Sequence, residues 1–162
     1  MYDRILFPTD GSETRGRALE HALDLALQYD AALHVLYVID KAVFAGDIET
    51  GPILEQFEAI GHGVLEEVSA EAATAGVEPV VTHLGRGNPH ERILEYADDQ
   101  QIDVIVMGTR GRTGLNRYLI GSVTEKVVRL SEVPVLTVQK SAESSEGNDP
   151  TNADQGDERF RD

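Results

Sequence analysis

The chain has no cysteine, only three lysines, and no apolar stretch long enough to span a membrane. The missing cysteine excludes disulfides and thiolate–metal chemistry. The missing apolar stretch leaves no candidate for a membrane helix, which needs about 20 consecutive apolar residues. Lysine is confined to Lys41, Lys126 and Lys140, and the net charge is −15, from 29 acidic and 14 basic residues. That balance argues against non-specific nucleic-acid binding, which needs a basic surface. An acid-rich, lysine-poor surface that tolerates its own repulsion points to a salt-rich cytoplasm. No signal peptide is read at the start, where Asp3 and Arg4 lead straight into a short apolar run, so a cytoplasmic location is expected.

Several catalytic signatures are also missing. No Gly-Lys-Ser/Thr follows a glycine loop, no GxGxxG follows the first apolar run, and no GxSxG elbow occurs. His21, His34, His62, His83 and His90 show no metal-ligand spacing. His34 and His83 fall in strand-like runs and His90 in a first helical turn, which suits packing or surface roles. Glu66-Glu67 and Asp98-Asp99 read as solvated helix faces. No nucleophile stands paired with a base.

What is present centres on residues 103–124, DVIVMGTRGRTGLNRYLIGSVT. Val104, Ile105, Val106 and Met107 form a short, largely β-branched run, the pattern of a strand buried on both faces. Glycines 108, 111 and 114 then punctuate a loop carrying Arg110, Arg112 and Arg117. Gly121-Ser122 stands at the head of a segment with helical spacing, Val123, Val127, Val128 and Leu130. Strand, glycine loop and helix N-terminus in that order suit a phosphate. Glycine lets backbone N–H groups approach closely, and the first N–H groups of a helix are unpaired and favour an anion. The same order also suits a plain strand-to-helix connection whose glycines only make turns.

The rest of the chain alternates. Residues 2–8 read as a first strand, with Ser12 as N-cap of a helix running to about Tyr29. Residues 33–39 read as a second strand. After the connection 40–51, Gly51-Pro52 opens a second helix, with Ile53, Phe57, Ile60, Val64 and Val68 as its buried stripe and Gly76 as its stop. Gly61 and Gly63 weaken that helix and suggest a close contact or bend. Residues 77–84 read as a third strand, with Pro79 placing it at an edge or delaying its start, and residues 85–87 as a loop. Asn88-Pro89-His90-Glu91 has the form of a capping box, opening a third helix with Ile93, Leu94 and Ala97 inward. Residues 133–138 read as a fifth strand, with Pro134 again hinting at an edge. Residues 141–162 have seven acidic and two basic residues and no aliphatic period, so an acidic, disordered tail is expected beyond an α/β domain of residues 1–140. Strict alternation of buried strands and helices means a parallel sheet covered on both faces.

The spacing Gly108-x2-Gly111-x9-Gly121-Ser122 after a hydrophobic strand resembles the ATP-binding signature of the universal stress protein family, and Tyr2–Glu13, YDRILFPTDGSE, resembles that family's first strand and turn. The resemblance covers about residues 1–140. It implies a doubly wound, Rossmann-like α/β fold with five parallel strands in the order 3-2-1-4-5. The ligand crevice of such a sheet lies at the strands' carboxyl ends, where the order reverses. It implies that Pro8, Thr9 and Asp10 line the nucleoside end, that Val38 meets adenine, and that Met107 and Gly108 lie along the ribose. Gly111, Gly121, Ser122 and Val123 would hold the phosphates, with Arg110 or Arg112 screening charge. Mg²⁺ or Mn²⁺ would be held through the phosphates. Each of these positions also has a simpler role: Asp10 as turn former, Ser122 as N-cap, Val38 as core. The resemblance further implies a homodimer through the strand-five edge, residues 133–139. Three functions are expected in order: an ATP-binding regulatory stress protein, a slow ATPase or nucleotidyl-transfer enzyme, and a dimeric interaction module that binds no nucleotide.

Overall fold

The computed structural model describes residues 1–12, 16–44, 50–109 and 120–139. Its elements are β1 (Arg4–Thr9), α1 (Arg17–Tyr29), β2 (Ala32–Asp40), a 3₁₀ turn (Lys41–Phe44), α2 (Thr50–Ala75), β3 (Val80–Gly87), α3 (Pro89–Asp99), β4 (Val104–Gly108), α4 (Ser122–Leu130) and β5 (Val135–Val138). The strands form one sheet in the order β3-β2-β1-β4-β5, and every pairing is parallel. The expected doubly wound α/β fold with order 3-2-1-4-5 is therefore the fold observed.

Alternation along each strand divides two cores. Ile5 and Phe7 of β1, with Leu33, Val35, Tyr37 and Ile39 of β2, pack under α1 and α2. Leu6, Leu36, Ile105 and Met107 point the other way, onto Ile93, Tyr96 and Ala97 of α3 and Val127 of α4. Each central strand is buried on both faces, which is why its centre is almost wholly apolar, with His34 of β2 the buried polar exception.

Several boundaries differ from the sequence reading. The N-cap of α1 is Gly16, while the Ser12 N–H and hydroxyl both donate to Asp10 Oδ1. Ser12 closes a local turn there and caps no helix. α2 begins at Thr50, ahead of Gly51-Pro52. Its buried face is Gly61, Leu65, Val68 and Ala72, and Ile60 is 42% exposed. The aliphatic residues overstated that stripe because small residues, Gly61 and Ala72, take the closest places against the sheet. β3 starts directly after Pro79 and continues through Gly85, Arg86 and Gly87, because β2 offers partners as far as Asp40 opposite Gly87. On α3 the N-cap is Asn88 with Pro89 at the first helical position, but the Asn88 amide donates to Glu91 Oε1 at 3.1 Å in place of a side chain-to-backbone box. On α4, Val127 is buried while Val128 and Leu130 are exposed. β5 is shorter than 133–138, because Pro134 has no N–H to give a ladder. The tail 141–162 and residues 45–49 of the 40–51 connection lie outside the described residues.

Candidate functional site

The crossovers leave an opening where the sheet order turns back, between the carboxyl ends of β1 and β4. α1 and α2 lie on one face of the sheet and α3 and α4 on the other, so a crevice at this point is walled by both layers. A cavity of about 330 Å³ occupies it. Phe7–Asp10 from β1 and its turn, Leu36–Asp40 from β2 and Met107–Gly108 from β4 form its sheet side. Gly121–Thr124 at the start of α4, with Pro89 and Ile93 of α3, close one flank, and Phe57 of α2 and Val43 add apolar surface.

Nine residues singled out from sequence are brought to this one cavity: Pro8, Thr9, Asp10, Val38, Met107, Gly108, Gly121, Ser122 and Val123. Arg110, Gly111 and Arg112 lie outside the described residues. Ser12, Asp40, Val43, Phe57, Pro89, Ile93 and Thr124 also line the cavity and were not singled out as binding residues. The position of Asp40 at the end of the second strand was the one available signal; the others reach the cavity only through the packing of helices on the sheet.

The local chemistry is polarised. One wall is apolar, from Val38, Phe57, Ile93 and Met107. The β1 turn is internally bonded: Gly11 N–H donates to Thr9 Oγ1 at 3.1 Å and Ser12 N–H to Asp10 Oδ1 at 2.9 Å. Asp40 accepts from Ala42 N–H at 2.9 Å. Both aspartates thus serve the turns that end their strands, and they are the only charged side chains among the described residues lining the cavity.

The opposite wall is the start of α4. Its first intrahelical bond runs from Glu125 N–H to Gly121 C=O, 2.9 Å, so the N–H groups of Ser122, Val123 and Thr124 stand ahead of the helical ladder, where the dipole favours an anion. Gly121 has φ −59° and ψ 149°, angles open to any residue, and Gly108 has no positive φ. These two glycines are therefore not required by backbone conformation. What they contribute is a missing Cβ on the cavity wall.

Outside the cavity, at the other end of α3, His34 is buried with its Nδ1 2.9 Å from the Tyr96 hydroxyl. Burial, and secondarily the Arg4 guanidinium, hold the His34 pKa below its ordinary value, and burial raises that of Tyr96.

Comparison with known proteins gives a consistent result. The profile described as the universal stress protein family matches residues 1–139. A universal stress protein of Methanocaldococcus jannaschii is 38% identical over 143 residues, covering 86% of this chain and 84% of the relative. Among solved structures, the hypothetical protein MJ0577, from the same organism, superposes with TM-score 0.78 at 33% identity, over 88% of this chain and 99% of that one. A universal stress protein solved in complex with cAMP superposes with TM-score 0.64 at 27% identity, over 85% of this chain and 97% of that one.

Proposed function

The chain belongs to the universal stress protein family, and from that premise we propose that it binds an adenine nucleotide, ATP with a divalent ion, in the cavity at the sheet's switch point and acts as a cytoplasmic stress-response switch. One observation carries the reading: an apolar wall and a helix N-terminus face the same cavity. A nucleotide asks for that combination, a slot for the base and donors for the phosphates. The cAMP-bound relative supports the ligand class.

In this reading Val38 and Met107 sandwich the base and ribose, and Pro8, Thr9 and Asp10 border the nucleoside end. Ser122 and Val123 present N–H groups, and Ser122 its hydroxyl, to the phosphates, while Gly121, whose own N–H is bonded to Thr109 C=O, leaves the approach free of a side chain. Gly108 lies with Met107 along the ribose, and Gly111, with Arg110 or Arg112, is assigned to the phosphates. The residues present fit the group, with one demand. The described lining supplies two carboxylates and no cation, so a triphosphate should enter with Mg²⁺ or Mn²⁺ on its own oxygens. The ion then offsets phosphate charge that the protein's aspartates would otherwise oppose.

Calorimetric titration of ATP with Mg²⁺ into stripped protein tests this. One saturable site per chain is expected, weakened at least tenfold by chelating the metal and abolished in Gly121→Val, whose side chain would occupy the ligand's approach. The absence of saturable binding would return the glycine loop to a plain connection. Phosphate release slower than about 1 s⁻¹, below ordinary enzymatic rates, separates a switch from an ATPase. β5 is an edge strand with one neighbour and an exposed Leu136, so the proposed assembly is a homodimer through residues 133–139.

A further inference from the structure

α4 is only nine residues long, and its N-cap Gly121 makes no side-chain cap bond. The end that faces the cavity is nonetheless held. Thr124, in the first turn and 4% exposed, donates its hydroxyl to the Gly108 carbonyl at 2.9 Å. Gly108 is the last residue of β4 and pairs with Val138 of β5. One residue further on, buried Thr109 is bonded on both sides. Its N–H donates to Val138 C=O at 3.0 Å and its C=O accepts from Gly121 N–H at 2.7 Å. Thr109 at the end of β4 and Gly121 at the head of α4 are thus bonded directly to each other.

We propose that Thr124 is a positioning residue for the nucleotide phosphates: its bond to Gly108 fixes the first turn of α4 against β4, so that the N–H groups of Ser122 and Val123 converge on one place in the cavity. The inference rests on the nucleotide reading above and adds a residue that binds through what it holds. Three features support it. The Thr124 hydroxyl is directed into the protein and bonds a strand carbonyl, so its role differs from that of an exposed first-turn threonine. Among the described residues no buried side-chain N or O lacks a partner, so the bond belongs to a fully satisfied region. Of the other anchors, Val127 is buried with Val123 packed beside it, and these apolar contacts fix the depth of α4 but not its rotation or slide. The Gly121 N–H bond to Thr109 C=O holds the cap residue, and the Thr124 bond adds a directional hold on the first turn itself. Donors preset before the ligand arrives spare the entropy of ordering them on binding.

The test compares wild type, Thr124→Val and Thr124→Ser with two probes, Mg²⁺-ATP and adenosine. Thr124→Val keeps the shape and deletes the hydroxyl. It should weaken ATP about three- to tenfold, the scale of one neutral hydrogen bond, and leave adenosine within a factor of about two. Thr124→Ser, which keeps the hydroxyl, should restore ATP affinity. Unchanged ATP affinity in Thr124→Val, or parallel loss of ATP and adenosine, would overturn the assignment; parallel loss is the mark of a structural role. A ligand-free measurement separates this inference from the reading beneath it. Amide exchange at Gly121 and Glu125 should quicken in Thr124→Val while β2 amides do not change. If wild type binds neither probe, the nucleotide reading fails, and unchanged exchange at those two amides would remove the tether as well.

Discussion

At the scale of single residues, the buried His34–Tyr96 pair makes a pH prediction with a definite sign. Burial, reinforced by Arg4, holds the His34 pKa in the folded protein below the ordinary value of 6.5. Above about 6.5 the ring is neutral in both states and the pair's contribution is fully present. As pH falls below about 6.5 the unfolded chain takes up the proton first, so stability declines until the folded ring also protonates. Urea unfolding at pH 7.5, 6.5 and 5.5 should therefore show the gap between wild type and His34→Gln narrowing as pH falls. Gln can still bond the Tyr96 hydroxyl, and subtraction removes the other titrating groups. A gap that stays constant with pH would refute the assignment. From its place in a strand-like run His34 was legible as a residue with a packing or surface role; its burial in β2 decides for packing. Its partner was not legible, since Tyr96 lies 62 residues away and only the α3 crossover brings them together. The candidate site divides along the same line. Gly121-Ser122 could be read from local spacing, whereas Asp10, by its local chemistry a turn former, entered the site only through the family resemblance. Thr124, Phe57 and Pro89 reach the cavity through tertiary packing, which leaves no local mark.

At the scale of elements, α2 provides a paired test in one helix. A Cβ on Gly61 would lie 2.5 Å from Leu84 Cδ1 and 2.9 Å from Tyr37 Cδ1, whereas one on Gly63 meets nothing within 4 Å. Both glycines cost helix stability, about 0.5–1 kcal/mol each relative to alanine. Gly63→Ala should recover that amount and raise Tm by about 1–4 °C. Gly61→Ala gains the same propensity but drives a methyl into a buried tyrosine ring, and overpacking costs about 1–3 kcal/mol. Leu84 can shift its end; the Tyr37 ring, 3% exposed, has little room. The net should be a loss of about 1 kcal/mol, and thermal melts of the two variants should move in opposite directions. Equal shifts would mean that α2 does not press on β2 and β3 through Gly61. The sequence showed that these glycines weaken a helix and that one could mark a close contact. It did not distinguish them, because the contact is with the edge strand β3 and its neighbour β2 and depends on the rotation of α2. The same dependence on neighbours explains the extension of β3: a glycine-rich run, 85–87, reads as a loop until a parallel partner of equal length lies beside it.

At the scale of the whole molecule, charge and association are one question. The chain carries −15, and pairing two copies brings like charge together across the β5 edge. Repulsion between exposed charges is screened over about 10 Å at 0.1 M salt and about 3 Å at 1 M. If self-repulsion opposes both compactness and pairing, Tm and the dimer fraction should rise together with KCl, steeply up to several hundred millimolar and then more gently. A rise that is instead linear into the molar range and stronger with sulfate than with chloride would point to strengthened apolar burial, which obeys a different salt dependence. Sedimentation at micromolar protein, at about 0.1, 0.5 and 2 M KCl, with melts on the same samples, separates the two. A monomer at every concentration of salt would remove the dimer through 133–139. A chain already stable and monodisperse at 0.1 M, gaining nothing at 2 M, would remove the salt-adapted reading. Nucleotide binding should share the trend at its onset. The cavity's aspartates and the chain's net charge both resist an anionic ligand at low salt, so Mg²⁺-ATP affinity should rise on going from about 0.01 to 0.1 M while adenosine affinity, with no charge to screen, should not. Equal response of the two ligands would show that long-range repulsion does not reach the site, and that the divalent ion already neutralises what the phosphates present.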